Sequence, residues 1–243
     1  MARTLVRKTL RPLIAGRHAA LADDPRHWAY WRREAEAYRS GLLPLGPGLR
    51  TPLCYGVVDN EIYLESVEGP AVPVGQAAEH LARWQVPYES SLDRPWLAMD
   101  QLGQRLKVSE LDWTTVEADP RVVQLWQRQW DLYEELIRVP SVRSHGDYSA
   151  GNLVRAGSDT VALDWATFGW EPLGFDLAHL ALSTGEDPTD AYCSAAGPAV
   201  DAIAVRAGYR TAVATIGASR IHWMLSRGIR LPEWYVEFIS TSR

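Results

Sequence analysis

A short polar loop at residues 145–152 constrains this chain more than any other feature. It reads His-Gly-Asp-Tyr-Ser-Ala-Gly-Asn, so small residues separate Asp147 from Asn152. Two strand-like runs joined by Gly-Ser-Asp follow, and Asp164 stands at the end of the second run. Because a hairpin folds its two ends back together, we expect Asn152 and Asp164 to lie a few ångströms apart.

The side chains of this loop are those that phosphoryl transfer requires. An amide oxygen and a carboxylate suit Mg²⁺, which proteins hold through one or two carboxylates and substrate phosphates. Asp147 lies nearer the start of the loop and is free to accept a proton from an incoming hydroxyl. The alternative is that His-Gly-Asp and Gly-Asn are ordinary turns. We favour the functional interpretation because the hairpin and Asp164 follow the loop where the chemistry requires them, and because Asn is scarce, at only two residues in the chain.

Composition excludes several classes of protein. The chain has 243 residues, of which 47% are hydrophobic, and a formal net charge of −5. This balance is typical of a globular protein and disfavours a nucleic-acid binder, which needs a basic surface. No segment approaches the ~20 apolar residues that span a bilayer, and the basic N-terminus has no unbroken apolar core like that of a signal peptide. We therefore expect a cytoplasmic protein with neither membrane nor nucleic-acid partners.

The order of predicted elements suggests two lobes. We assign residues 1–69 to a small N-terminal lobe and residues 70–243 to a larger helical C-terminal lobe. The small lobe holds a predicted strand (4–10), a helix (27–43) and a hairpin (52–58 and 61–67). The large lobe holds predicted helices at 74–84, 121–138, 175–183, 198–207 and 211–226, with the short hairpin of 153–154 and 160–163 among them.

Three motifs of the large lobe resemble a known family when taken together. They are His145-Gly-Asp followed by Asn152, then Leu-Asp164-Trp, and then Pro-Leu-Gly-Phe-Asp176-Leu-Ala. This series is similar to that of the aminoglycoside phosphotransferase and choline kinase-like family of small-molecule kinases. The resemblance implies an α+β, protein kinase-like two-lobed fold, with an abbreviated N-terminal lobe and a mostly helical C-terminal lobe.

The resemblance also implies a role for each residue of the motifs. Asp147 would be the catalytic base, and Asn152 and Asp164 would hold Mg²⁺. Asp176 would accept hydrogen bonds from the backbone of the catalytic loop, a role compatible with the alternative that it caps a helix. His145 would brace the loop rather than act as an acid or a base.

In the small lobe, the resemblance implies a strand lysine on the ATP phosphates, paired with a helix glutamate. Lys8 and Glu34 fit these places. Arg7 and Glu36 are the near alternatives, and adjacent residues of a strand face opposite sides. The other interpretation of Lys8 and Glu34 is a pair of solvated surface charges.

The run Tyr-Leu-Glu-Ser-Val-Glu-Gly resembles the hinge between lobes, where the carbonyl of Glu65 and the amide of Val67 would bond the adenine edge.

One feature of the N-terminal segment departs from the family pattern. Only seven residues precede Lys8, and no Gly-x-Gly-x-x-Gly lies upstream to cover the phosphates. Three explanations stay open: a start further upstream, an abbreviated lobe, or a partner chain that covers the nucleotide.

The resemblance implies an enzyme that uses ATP or GTP with Mg²⁺ to phosphorylate a hydroxyl of a small molecule. The acceptor we favour is an antibiotic of the aminoglycoside, peptide or nucleoside type, which would give resistance or self-protection. The alternatives are a metabolic kinase for choline, homoserine or a sugar, and a nucleotide-binding pseudo-enzyme. We expect a monomer or a homodimer.

Four acidic residues bear on the identity of the acceptor. They could line a groove for a polycationic antibiotic, or they could form a solvated acidic loop between helices: Glu171, Glu186, Asp187 and Asp190. The aromatic C-terminal stretch leaves room for a less cationic acceptor, such as a nucleoside or a sugar-containing antibiotic.

Overall fold

The N-terminal sheet carries the predicted strand and hairpin. The computed structural model describes residues 4–86 and 94–241. The sheet has the antiparallel order β1 (Leu5–Thr9), β4 (Glu61–Glu65) and β3 (Cys54–Val58). A small apolar cluster that includes Ile62 packs this sheet against helix α1 (Arg33–Ser40). The sheet and the helix are therefore held together by a core of their own.

Two further three-stranded sheets occur in the described residues. In one, β8 lies between a parallel neighbour and an antiparallel neighbour, which gives β2 (Leu49–Arg50), β8 (Asp159–Ala162) and β7 (Leu153–Ala156). In the other, β9 lies at the centre of β5 (Ala98–Met99), β9 (Gly169–Pro172) and β6 (Ser141–Ser144). The predicted hairpin at 153–163 is the β7–β8 pair, and it ends beside Asp164.

The remaining elements are helices packed around one large apolar core. They are α2 (Val74–Gln85), α3 (Gln101–Leu106), α4 (Pro120–Gln127), α5 (Gln129–Leu136), α6 (Phe175–Thr184), α7 (Thr189–Ala196), α8 (Ala202–Leu225) and α9 (Tyr235–Thr241). Helix α8 is the longest, at 24 residues, and it packs against α4, α5, α6, α7 and α9. No helix of the described chain has the length and apolarity that crossing a bilayer requires.

Two predictions about the helices of the large lobe were wrong. The predicted helices 198–207 and 211–226 form the single helix α8, which runs straight through Gly208. This glycine permits close packing, because a Cβ atom there would collide with the backbone carbonyl of Leu173. The predicted helix 121–138 is instead divided into α4 and α5 at Arg128, where the local sequence carries neither Gly nor Pro.

The predicted helix 27–43 begins only at Arg33, and the reason is a buried guanidinium. Arg33 is fully buried, and its side chain donates hydrogen bonds to five backbone carbonyls. The acceptors belong to Pro25, His27, Trp28, Trp96 and Ala166, at 2.6–3.2 Å. Because carbonyls before Arg33 point at this side chain, residues 25–28 form turns instead of a helix.

The division of the chain at residues 69 and 70 remains a prediction. Leu43 and Leu49, which precede the proposed boundary, belong to the large core together with α2. Strand β2 also pairs with β8. The large core therefore takes in part of the segment assigned to the small lobe.

We predict that Arg33→Met destabilises the protein by about 3 kcal/mol or more, because it leaves several buried carbonyls without a donor. The free energy of unfolding is measured by urea titration. The matched control is Arg32→Met, since Arg32 is exposed and lies over the ring of Trp31. The control should lose about 1 kcal/mol or less, and equal losses in both variants would contradict the prediction.

Candidate active site

The loop at residues 145–152 is anchored by a carboxylate in the first turn of α6. The side chain of Asp176 is buried, and its Oδ2 accepts a hydrogen bond from His145 N at 2.8 Å. Its Oδ1 accepts a hydrogen bond from Gly146 N at 2.9 Å. The structure thus places the carboxylate of Asp176 against the backbone of the loop.

Two more contacts fix the conformation of the loop. Gly146 has a φ of +81°, and a Cβ there would collide with the backbone and side chain of Thr167. The Nδ1 atom of His145 accepts a hydrogen bond from Asp147 N at 3.2 Å, so its Nε2 carries the proton and donates to Leu163 O at 2.8 Å. Burial lowers the pKa of His145. A neutral imidazole therefore ties the loop to the segment just before Asp164.

Asp147 is held from both sides. Its Oδ1 accepts a hydrogen bond from His179 Nδ1 at 3.1 Å, and its Oδ2 accepts one from Asn152 Nδ2 at 3.1 Å. Burial by itself raises the pKa of Asp147, but the hydrogen bond from His179 and the electrostatic effects of His179, His145 and Arg220 together outweigh burial and hold this pKa below its ordinary value. Asp147 is therefore a carboxylate at neutral pH, and a half-exposed one. It is oriented to accept a proton.

The structure brings the predicted metal ligands to one end of the hairpin. Leu163 N donates to Asn152 O at 2.8 Å, so Asn152 lies across the hairpin from the residue before Asp164. The side-chain amide nitrogen of Asn152 is used on Asp147, which leaves the amide oxygen as the donor for a cation. Asp164 is half-exposed and has a φ of +61°.

These two side chains fit Mg²⁺ only together with a phosphorylated substrate. Across residues 4–86 and 94–241, no group of three or more His, Cys, Asp or Glu side chains could hold a metal ion. Asn152 and Asp164 supply one amide oxygen and one carboxylate, which are hard donors. Mg²⁺ is commonly bound in this way, through one or two protein ligands and the phosphates of a nucleotide.

Lys8 lies between two carboxylates. Its Nζ is 2.5 Å from Glu34 Oε2 and 2.9 Å from Asp164 Oδ1. Burial alone would lower the pKa of Lys8, but the two carboxylates outweigh it and raise this pKa. Glu34 is buried, whereas Arg7 is exposed and lies 3.8 Å from Glu61. The structure therefore brings together Lys8, Glu34 and Asp164 and leaves Arg7 on the opposite face.

The two hinge residues lie at the end of β4 and just after it. The carboxylate of Glu65 is 2.9 Å from Arg50 Nη1 and accepts a hydrogen bond from Leu53 N at 3.1 Å. Val67 follows in the segment that leads to α2. Their proposed contacts with adenine remain predictions.

Four functional candidates have no motif in the sequence. His179 lies one helical turn after Asp176, and this spacing is the one signal that could have indicated it. Its Nε2 is buried without a hydrogen-bond partner. His179 also lines a cavity of about 420 Å³ that Arg105 and Arg220 share. The fourth candidate, Glu171, supports the loop from β9.

The four acidic residues that could have lined an acceptor groove lie in different environments. Glu171 is fully buried in β9, whereas Glu186, Asp187 and Asp190 are exposed before and within α7. Asp190 forms an ion pair with Arg206 at 2.6 Å. These three fit the solvated acidic loop, and the cavity beside His179 is lined by none of the four.

Glu171 connects to the loop through Gln101. Its Oε1 accepts a hydrogen bond from Gln101 N at 3.1 Å, and Gln101 Nε2 donates to Gly146 O at 3.3 Å. Burial raises the pKa of Glu171 to about 8. At neutral pH the side chain is therefore mostly a neutral acid.

We predict that the stability of the wild-type protein falls relative to Glu171→Gln as the pH rises. The pKa is 4.5 for the ordinary group and about 8 in the fold. The folded state therefore binds the proton more tightly, and its advantage is complete below pH 4.5 and lost between pH 4.5 and about 8. The slope should approach about 1.4 kcal/mol per pH unit in urea titrations. Glu186→Gln, at an exposed site, should follow the wild type, and parallel curves for all three would contradict the prediction.

Solved structures of several small-molecule kinases share this fold. Choline kinase LicA from Streptococcus pneumoniae aligns over 99% of this chain and 84% of its own, with a TM-score of 0.61 and 12% identity. The aminoglycoside 2'-phosphotransferase-IIIa in complex with GDP aligns over 100% of this chain and 93% of its own, with a TM-score of 0.59 and 12% identity. Amicoumacin kinase hAmiN, in complex with AMP-PNP, Ca²⁺ and Ami, aligns over 99% of this chain and 80% of its own, with a TM-score of 0.55 and 12% identity.

At these identities the likeness establishes the fold alone, and it confirms the predicted α+β, protein kinase-like class. No curated protein matches the chain in sequence. The family model of the phosphotransferase enzyme family (APH) matches residues 68–214, which is more than half of the chain and includes the whole loop at residues 145–152. The chain therefore belongs to the phosphotransferase enzyme family.

Proposed function

We propose that the protein transfers the γ-phosphoryl group of ATP or GTP, with Mg²⁺, to a hydroxyl of a small molecule. The observation that carries this proposal is the Asp147 carboxylate, which His179 and Asn152 hold by hydrogen bonds. Asn152 lies at the same end of the hairpin as Asp164, and Lys8 binds the carboxylate of Asp164. A pseudo-enzyme would not need this set, because a nucleotide can bind without a proton acceptor.

In the proposed reaction, the acceptor oxygen forms a bond to the γ-phosphorus and the bond from that phosphorus to the β–γ bridging oxygen breaks. The nucleoside diphosphate leaves, and the hydroxyl proton passes to Asp147. Lys8 binds the phosphates, and Glu34 holds Lys8 in place. Asn152 and Asp164 would hold Mg²⁺, which would neutralise the phosphate charge. Catalysis by these residues consists mainly of positioning and charge stabilisation.

The solved relatives support the use of a nucleotide and a divalent cation. The amicoumacin kinase was solved with AMP-PNP and Ca²⁺, and the 2'-phosphotransferase was solved with GDP. They also support an antibiotic as the acceptor, although one relative is a choline kinase. A panel of antibiotics, choline, homoserine and sugars, assayed with labelled ATP, separates resistance or self-protection from metabolism. A cytoplasmic location, where ATP is abundant, fits either role.

We predict that Asp147→Asn lowers kcat by about 10²–10⁴-fold, because the amide cannot accept the proton of the hydroxyl. Phosphate transfer is followed with labelled nucleotide and an acceptor from the panel, and circular dichroism verifies the fold. Asp131→Asn, at an exposed site on α5, is the control and should retain full activity. Undiminished transfer by Asp147→Asn would refute the assignment of the base.

We predict that Lys8→Met weakens binding of the Mg²⁺ nucleotide by about tenfold or more, because a charge-assisted contact with the phosphates is lost. Calorimetry with AMP-PNP and Mg²⁺ gives the Kd. If Lys8→Met unfolds the lobe because Glu34 loses its partner, the variant Lys8→Arg, which keeps the positive charge, is used instead. Arg7→Met, on the opposite face of β1, should bind as the wild type does. Equal Kd values for Lys8→Met and the wild type would exclude Lys8 from the phosphate site.

A further inference from the structure

The cavity beside His179 has the size of a site for a small ligand. It encloses about 420 Å³ between α3, α6 and α8. Ligand sites commonly have volumes of about 300–1,000 Å³. One edge of the imidazole of His179 binds Asp147, and the same residue lines the cavity. The cavity and the proposed base, Asp147, therefore adjoin through the side chain of His179.

Two guanidinium groups line this cavity, and neither has an acidic partner there. In the part of the chain that the structure describes, no carboxylate lies within 4.0 Å of Arg105 or Arg220. The guanidinium of Arg105 stacks on the ring of Trp28, at 3.9 Å from its centroid. The Nε of Arg105 is buried without a hydrogen-bond partner. Arg220 donates a long hydrogen bond from Nη1 to Leu182 O at 3.3 Å and also interacts with the hydroxyl of Tyr235, so neither of these two partners is acidic.

The two guanidinium groups carry more positive charge than the neighbouring carboxyl groups offset at neutral pH. Two carboxyl groups affect the pKa of Arg105: Asp147, which is a carboxylate, and Glu171, which is mostly protonated. Asp147 already accepts hydrogen bonds from His179 and Asn152. An unpaired cation in a partly buried site is costly unless an anion accompanies it. The cavity therefore favours an anion.

The other walls are mainly apolar. They are formed by Leu102, Leu106, Phe175, Ile216 and Met224. Such walls bind an aliphatic or aromatic body, while the two guanidinium groups fix its charged end. Polycationic aminoglycosides and choline lack an anion and would meet two like charges here.

On the basis of the proposed phosphotransferase function, we propose that the acceptor is a hydroxy compound with an apolar body and a carboxylate. Arg105 and Arg220 bind the carboxylate in the cavity, and the hydroxyl lies next to His179, at Asp147. The transfer step is the one given above, and the arginines only position the acceptor. The cavity thus selects for an acid among the hydroxyl compounds that the enzyme meets.

The test uses three compounds of similar size that differ in one substituent, which is negative, neutral or positive. They share a benzene ring and one hydroxymethyl group, and the para substituent is a carboxylate, a second hydroxymethyl or an aminomethyl group. Calorimetry on the full chain measures the Kd of para-hydroxymethylbenzoate, para-benzenedimethanol and para-hydroxymethylbenzylamine. We expect the carboxylate compound to bind about tenfold or more tightly than the other two. Equal binding, tighter binding of the diol or the amine, or no binding of the acid would overturn the proposal.

Variants assign the preference to the arginines. Arg105→Gln and Arg220→Gln should each raise the Kd of the acid about tenfold and leave that of the diol unchanged. Arg220→Lys should keep part of the preference, since it keeps the charge. The control Arg210→Gln removes an exposed arginine from the same helix and should have no effect. Should Arg105→Gln fail to fold because the stacking on Trp28 is lost, the two Arg220 variants decide.

The same experiment separates this proposal from the proposed function. The Kd of the acid is also measured with the variant Asp147→Asn, because a binding measurement does not depend on phosphate transfer. Preferential binding of the acid without phosphorylation of any acceptor would support the carboxylate site and argue against the kinase function. Phosphorylation of kanamycin or choline in preference to hydroxy acids would support the kinase function and overturn the carboxylate site.

Discussion

The site depends on one buried carboxylate, that of Asp176. Its two oxygens accept hydrogen bonds from the backbone amides of His145 and Gly146, and Oδ2 also accepts one from Gln85 Nε2 at 3.2 Å. Gln85 Oε1 in turn accepts a hydrogen bond from the hydroxyl of Tyr192 at 2.8 Å. A buried carboxylate is stable only with such donors. Helices α2, α6 and α7 thus fix the position of the loop from which Asp147 projects.

From this anchor, charge is distributed unequally on the two sides of Asp147. On the side of the N-terminal sheet, two carboxylates share the single ammonium group of Lys8. On the side of α3 and α8, two guanidinium groups line a cavity that contains no carboxylate among its described lining residues. The first arrangement suits a divalent cation that arrives with phosphates, and the second suits an anion. His179 lies between the second side and the base and contacts Asp147 directly.

The parts that could be predicted from sequence are those whose geometry is local. Asp147, Asn152 and Asp164 lie on one loop and its hairpin, so their spacing limits where each side chain can go. Alternation along a strand separates Lys8 from Arg7 once the strand is known. The likeness to a family then supplied the fold, which composition and periodicity alone did not distinguish from other α+β folds.

The parts that could not be predicted depend on distant contacts. Helix α1 begins late, at Arg33, because the side chain of Arg33 binds backbone carbonyls that include that of Ala166, 133 residues away in the sequence. Arg105 and Arg220 meet at the cavity only after α3 and α8 pack, and each resembles an ordinary surface arginine in the sequence. Gly208 is a helix breaker by local propensity, but α8 continues through it because the backbone at Leu173 lies too near for any side chain.

Asp164 has a consequence for the limits of stability in this fold. Its left-handed backbone, at a φ of +61°, is one that glycine adopts freely and that other residues adopt at a cost of about 1 kcal/mol. Glycine would relax the backbone but would remove the carboxylate that faces Lys8. Substitution of Asp164 by glycine would therefore make the protein more resistant to heat but would remove a ligand that the proposed reaction requires. Greater thermal stability has to come from other positions in the molecule.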